Sequence, residues 1–251
     1  SNECKKALIN QFKEEKYSIK LLELNLDEKL MPKLETRVEI VKKYFANLKK
    51  KIDVILVFDY GATNVFLTYT DSIINKIPIV FVSELEPDKK YISNNITGII
   101  SDYGVAQTYK LGLKMFPNTK KDYVWADKSP TGTFFLNHAK KTLTGYNDGI
   151  NIEFGLKVND KEELIKKCKN LDHNSFIILS TWSTDEKGRK YSDEELFHLF
   201  FEVNKVPIFC SYDDNIESGY IGGFVQRPKE NAKAVANKAI RIFNGEFPNR
   251  M

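Results

Sequence analysis

The chain has 251 residues, 42% apolar and 29% charged, which suits a globular protein of one large domain or two lobes and excludes a disordered segment. The formal net charge of +4 is modest, and the longest basic run, Lys49-Lys50-Lys51, falls at a helix end where cations complement the helix dipole, so no nucleic-acid partner is expected. Three cysteines (Cys4, Cys168, Cys210) without a CxxC make neither a disulfide framework nor a zinc site, and no apolar run approaches the ~20 residues of a membrane helix.

Strand-length apolar runs alternate with helical patterns almost throughout. Ser1-Asn2 reads as a remnant of tag cleavage, so the lack of a signal peptide says nothing about export. The pattern then predicts a helix over 3–16, a strand over 18–24 and a helix over 32–50 with Leu34, Val38, Val41, Phe45 and Leu48 on one stripe. A strand at 52–58, a helix at 62–75, a strand at 78–82, a loop over 83–96 and a strand at 97–101 follow. A second series runs helix 104–115, strand 122–126, helix 131–144, strand 151–156, helix 160–170, strand 175–181, helix 192–203 and strand 206–210. A turn at 212–219, a short strand at 220–225 and a helix at 228–243 complete it.

This alternation predicts an α/β fold with parallel sheets flanked by helices. There are too many strands for one compact sheet, so two Rossmann-like lobes are expected. The first takes 1–100 plus 212–251 and the second 101–211.

Ligands of open parallel sheets bind beyond the carboxyl ends of the strands. Those ends read Asp59-Tyr60-Gly61-Ala62-Thr63, Ser83-Glu84, Asp127-Lys128-Ser129-Pro130-Thr131, Ser180-Thr181-Trp182-Ser183 and Ser211-Tyr212-Asp213-Asp214. Thr63, Ser129 and Thr131 stand at helix starts, where free N–H groups favour anionic ligand parts, although such residues are also ordinary helix caps. Trp182 and Tyr212 could stack on a planar ligand or pack at a lobe interface.

Catalytic readings find little support. GxSxG, HExxH, GxxxxGK[ST] and GxGxxG are all absent, and His138, His173 and His198 fall in helices or at helix ends. Asp213-Asp214 has no further ligand at metal spacing. A carboxylate ending a strand, with Asp27-Glu28 after an earlier one, invites comparison with receiver-domain phospho-acceptors. Asp59 would then end the second strand where that family uses the third, and the two-lobe length does not fit. No enzyme, cofactor or metal is expected.

The ordered tracts "DVILVFDYGATNVFL", "IPIVFVSE", "FPNTKK", "STWSTDEKGRKYSDEEL", "GYIGGFV" and "FNGE" resemble a type I periplasmic-binding-protein domain over roughly residues 5–247. They are most similar to the subgroup, related to ABC-transporter substrate-binding proteins, that serves as extracellular sensor of bacterial histidine kinases and diguanylate cyclases. "DEKGRKYSDEE" leans toward the sensors, and its local physics is a turn over Asp185 to Gly188 followed by a helix capped at Ser192. The resemblance implies a small-molecule ligand in an inter-lobe cleft with hinge closure. It implies contacts from Asp59, Thr63, Ser83, Ser129, Thr131, Thr181, Trp182, Tyr212 and Asp213.

The implied location is extracytoplasmic, and the implied partner is a transmembrane kinase or cyclase portion or, in the alternative reading, the permease of an ABC importer for an amino acid or other small organic solute. A homodimer is left open. Two departures from the family pattern stand out. The chain begins at the first helix, without the apolar strand and loop that normally precede it, and it stops at Met251, before a final strand. A trimmed or incomplete domain is therefore expected.

Overall fold

The computed structural model describes residues 2–26, 31, 33–68, 76–84, 86, 95–146 and 149–251. They form two compact units, one made of 1–102 with 227–251 and the other of 103–226.

The first unit holds a parallel sheet in the order β1-β2-β3, with β1 at Ile55–Phe58, β2 at Ile79–Ser83 and β3 at Ile96–Ile100. Its helices are α1 (Asn2–Glu14), α2 (Leu34–Ala46), α3 (Tyr60–Thr68) and α8 (Pro228–Phe243). The period-2 alternation of strand side chains splits each strand between two apolar layers. Ile55, Val57, Ile79 and Phe81 pack with Val41 of α2 and Val65 of α3. Val80 and Val82 pack on the other face with Leu8 and Phe12 of α1 and with Ala232, Val235, Ala236 and Ala239 of α8. The alanines let α1 and α8 approach closely, so the two ends of the chain meet in one layer. Burial on both faces explains why β2 carries no polar residue before Ser83.

The second unit holds a parallel sheet in the order β5-β4-β6-β7, from β4 (Lys121–Trp125), β5 (Asn151–Phe154), β6 (Ser175–Leu179) and β7 (Ile208–Cys210). Tyr123, Trp125, Ile177, Leu179 and Ile208 face α6 (Lys161–Lys169) and α7 (Asp193–Val203), meeting Leu164, Cys168 and Phe200. Val124, Ala126, Phe176, Ile178 and Phe209 face α4 (Val105–Met115) and α5 (Pro130–Leu143), meeting Tyr109, Phe135 and Leu143.

Three expectations need correction. Residues 18–24 form no strand. Among the described residues the last backbone hydrogen bond before the segment is Tyr17 N to Phe12 O, 2.8 Å, and no ladder partner flanks it. Its apolar side chains still pack, Ile19 and Leu21 toward α1 and α8, and Leu24 toward α2 and α3. Residues 220–225 are no strand either, although Cys210 N bonds Gly222 O and Ile221 N bonds Ile208 O, both at 2.9 Å. Gly222 (φ 96°) and Gly223 (φ 139°) bend the chain out of a ladder.

Those same bonds, with Phe224 N donating to Thr108 Oγ1 at 3.0 Å, keep 212–226 in the second unit, so the chain returns to the first at 227 and not at 212. The expected helix 62–75 is observed as α3 to Thr68, and 69–75 lie outside the described residues, as do 85 and 87–94 of the expected loop. Asp27 and Glu28 also lie outside them.

Candidate functional site

In the first unit, β1 runs out at Phe58 and the chain turns sharply. Asp59 adopts φ 74°, the left-handed region that Asp tolerates better than most residues. Its Oδ1 accepts from Ala62 N at 2.7 Å, capping α3, and its carbonyl accepts from Thr63 N at 3.0 Å. Thr63 is 2% exposed, and its hydroxyl also donates to the Asp59 carbonyl, at 2.7 Å. The neighbouring strand end contributes Glu84, whose Oε2 accepts from Tyr60 N at 2.8 Å. Two carboxylates therefore serve the free N–H groups at the start of α3, where the helix dipole favours negative charge. Ser83 is buried at the end of β2, and its carbonyl accepts from Ser101 N at 2.9 Å. Of these residues Asp59 is the exposed one. Sequence reasoning singled out Asp59, Thr63 and Ser83 but missed the part played by Glu84, because only strand pairing brings residue 84 beside residue 60.

In the second unit, β5 lies on one side of β4 and β6 on the other, so the topological switch point falls at the carboxyl ends of β4 and β6. Ser129 and Thr131 follow β4, and Thr181 follows β6. Ser129 caps α5, its Oγ accepting from Gly132 N at 3.1 Å, and Thr131 sits in the first turn, half-buried. The β4–β6 pairing continues past the strands, with Ser180 N to Trp125 O at 3.0 Å and Asp127 N to Thr181 O at 2.8 Å. Between the two loops lies the carboxylate of Asp127, 2% exposed. It accepts from Ser129 N at 3.1 Å and from the Ser129 hydroxyl on Oδ1, and from Ser183 N at 3.0 Å on Oδ2.

Trp182 departs from expectation. It is 3% exposed, its ring stacked on Tyr191 at 5.3 Å and edge-on to Phe200 at 6.4 Å. A ring enclosed in this way packs the core of its own unit and offers no open face to a ligand. The tract after it is a compact hairpin. Thr184 and Lys190 bridge antiparallel, Gly188 turns at φ 83°, and Asp185 organises the loop. Its Oδ1 accepts from Lys187 N (3.0 Å) and Arg189 N (2.9 Å), and its Oδ2 accepts from the Tyr191 hydroxyl (2.9 Å). Burial, reinforced by that bond to Asp185, pushes the Tyr191 phenol up to about 12. The Ser192–Glu195 capping box opens α7, at 3.2 and 2.9 Å, as the sequence predicts.

Tyr212 and Asp213 follow β7, the strand next to β6. Tyr212 is half-buried and edge-on to Tyr103 at 6.4 Å, and Asp213 N bonds Gln226 O at 3.1 Å at the head of a short 3₁₀ turn. Among the described residues no group of His, Cys, Asp or Glu has the makings of a metal site. His198 bonds Glu202 at 3.0 Å on the exposed face of α7, away from the strand ends.

No protein-family model matches the chain, and no curated protein matches it. Solved structures do. A conserved domain protein from Vibrio cholerae is 17% identical, with a TM-score of 0.66 over 100% of this chain and 82% of that one. An ABC domain from Streptococcus pneumonia, solved in complex with L-Trp, is 15% identical, with a TM-score of 0.65 over 99% of this chain and 82% of that one. The fold is that of a type I periplasmic binding protein. A ligand-free, open substrate-binding protein with adhesive properties from Clostridium difficile is a further likeness, 14% identical, with a TM-score of 0.59 over 100% of this chain and 83% of that one. Among the described residues no helix is long and apolar enough to cross a membrane. In each unit the strand ends carry hydroxyls and carboxylates beside helix N-termini.

Proposed function

We propose that the chain is a non-enzymatic, extracytoplasmic module that binds a small organic solute and serves as the sensor domain of a bacterial signalling protein. What supports this reading is that Ser129 and Thr131 follow β4 and Thr181 follows β6, the two strands at the switch point of the second unit, in a fold shared with a protein solved in complex with L-Trp. Within the same unit Tyr212 and Asp213, after β7, would add polar and aromatic contacts. The sensor role draws on the resemblance of the tract 185–195 to sensor domains. Ligand would act by its higher affinity for one conformation of the domain, biasing a kinase or cyclase portion.

A second reading is the solute receptor of an ABC importer, favoured by the likeness to an ABC domain that binds L-Trp. The test common to both is a thermal-shift screen against the amino acids, L-tryptophan included, and other small organic solutes. A ligand at a hundred times its Kd stabilises the folded state by about 2.7 kcal/mol, enough to raise Tm by several degrees. A shift that Thr181→Ala and Asp213→Asn each diminish supports the site, whereas a flat response to every solute removes it. A following transmembrane helix and kinase or cyclase domain on the same gene product favours the sensor, and neighbouring permease genes favour the importer.

A further inference from the structure

We propose that Asp127 is a positioning residue, whose carboxylate locks the loop after β4 to the loop after β6 so that Ser129, Thr131 and Thr181 stand in a binding-ready arrangement before any ligand arrives. The inference rests on the proposed function for its consequence in binding. The lock itself rests on geometry alone.

A buried carboxylate persists only if its oxygens are satisfied. Here each oxygen serves a different loop. Oδ1 takes the Ser129 N–H at 3.1 Å and the Ser129 hydroxyl, and Oδ2 takes the Ser183 N–H at 3.0 Å, with the Ser183 hydroxyl at 3.4 Å. The Ser129 hydroxyl in turn accepts from Gly132 N at 3.1 Å, so the chain of bonds runs from Ser183 through Asp127 to the first turn of α5.

Gly132 shows how tightly that turn is pressed on the lock. A Cβ at this position would meet the Asp127 carbonyl oxygen at 2.3 Å and Oδ1 at 2.6 Å. Simple helix capping does not require this arrangement, since Ser129 caps α5 by itself. The extra carboxylate spans to a loop more than fifty residues away in sequence. Fixing both loops in the free protein removes an ordering cost that ligand binding would otherwise bear.

Amide hydrogen exchange on the whole chain tests the lock without a ligand. In Asp127→Ala the Ser129 and Ser183 amides should both exchange at least tenfold faster. The Glu195 amide, held by Ser192 in the same unit, should keep its rate. Asp127→Asn retains one acceptor and should restore protection to one of the two loops. Unchanged exchange at either Ser129 or Ser183 in the alanine variant overturns the proposal. So does equal acceleration at Glu195, which would make Asp127 a general core residue.

Should the alanine variant not fold, Asp127→Asn carries the readout by itself. Faster exchange at one of Ser129 and Ser183 supports the lock, and unchanged rates at both overturn it. With L-tryptophan as probe, Asp127→Ala should raise Kd at least tenfold. Wild-type protein that ignores L-tryptophan counts against that ligand, and the exchange result then decides the lock by itself.

Discussion

Asp59, Asp127 and Asp185 are three aspartates beside strand ends, and they do three different kinds of work. Asp59 caps a helix from a left-handed backbone and stays exposed, Asp127 joins two loops, and Asp185 shapes a hairpin. Their common property is two acceptor oxygens, which satisfy N–H groups that the turning backbone cannot pair internally. Burial of Tyr191 beside Asp185 also sets up an alkaline dependence. The Tyr191 phenol, 5% exposed and donating to Asp185, is raised from 10.0 to about 12. Its folded value lies above the unfolded one, so its contribution is complete below pH 10 and is lost as pH rises toward 12. Chemical denaturation of wild type against Tyr191→Phe should show a stability gap that shrinks across that window, by up to about 3 kcal/mol. A gap that stays constant would contradict the raised value that burial and the bond to Asp185 give the phenol. Sequence marked Asp59 and Asp127 as strand-end acids and Asp185 as the head of a turn, but not their separate tasks, because what separates them is the partner each meets in space.

Among the elements, those with strong local signals form as the sequence predicts. The helix α7 begins after Ser192 with both halves of its capping box in place, and α5 begins after Ser129 with Pro130 at its first position. Replacing Ser192 by Ala should cost about 1 kcal/mol, read as a lower urea midpoint with unchanged slope. Elements whose existence depends on a neighbour are the ones that differ. Residues 18–24 have the alternation and composition of a strand, and their side chains reach the apolar layers on both sides of the first sheet. A strand, however, is completed by hydrogen bonds to another strand, and among the described residues none lies alongside. Residues 220–225 meet β7 at two bonds and then turn away at paired glycines.

At the scale of the molecule, the second unit is one unbroken stretch with an apolar layer on each face of its sheet, and the first is assembled from both ends of the chain. Residues 103–226 expressed alone should therefore fold, with cooperative urea unfolding and dispersed amide signals, because 212–226 supply the bonds that close β7. The same segment ended at 211 should lose that cooperativity. The α/β class, the parallel strands and most helix starts were legible in the sequence, since periodicity, caps and doubly apolar runs are local properties of the chain. So was the gathering of hydroxyls and acids at strand ends, which follows from strand direction alone. Tertiary structure decided the rest. It assigned 212–226 to the second unit, enclosed Trp182 against Tyr191 and Phe200, and set Glu84 beside α3 and Asp127 between two loops. Each of these outcomes turns on which strand lies next to which, and residues far apart in sequence carry no local signal of that adjacency.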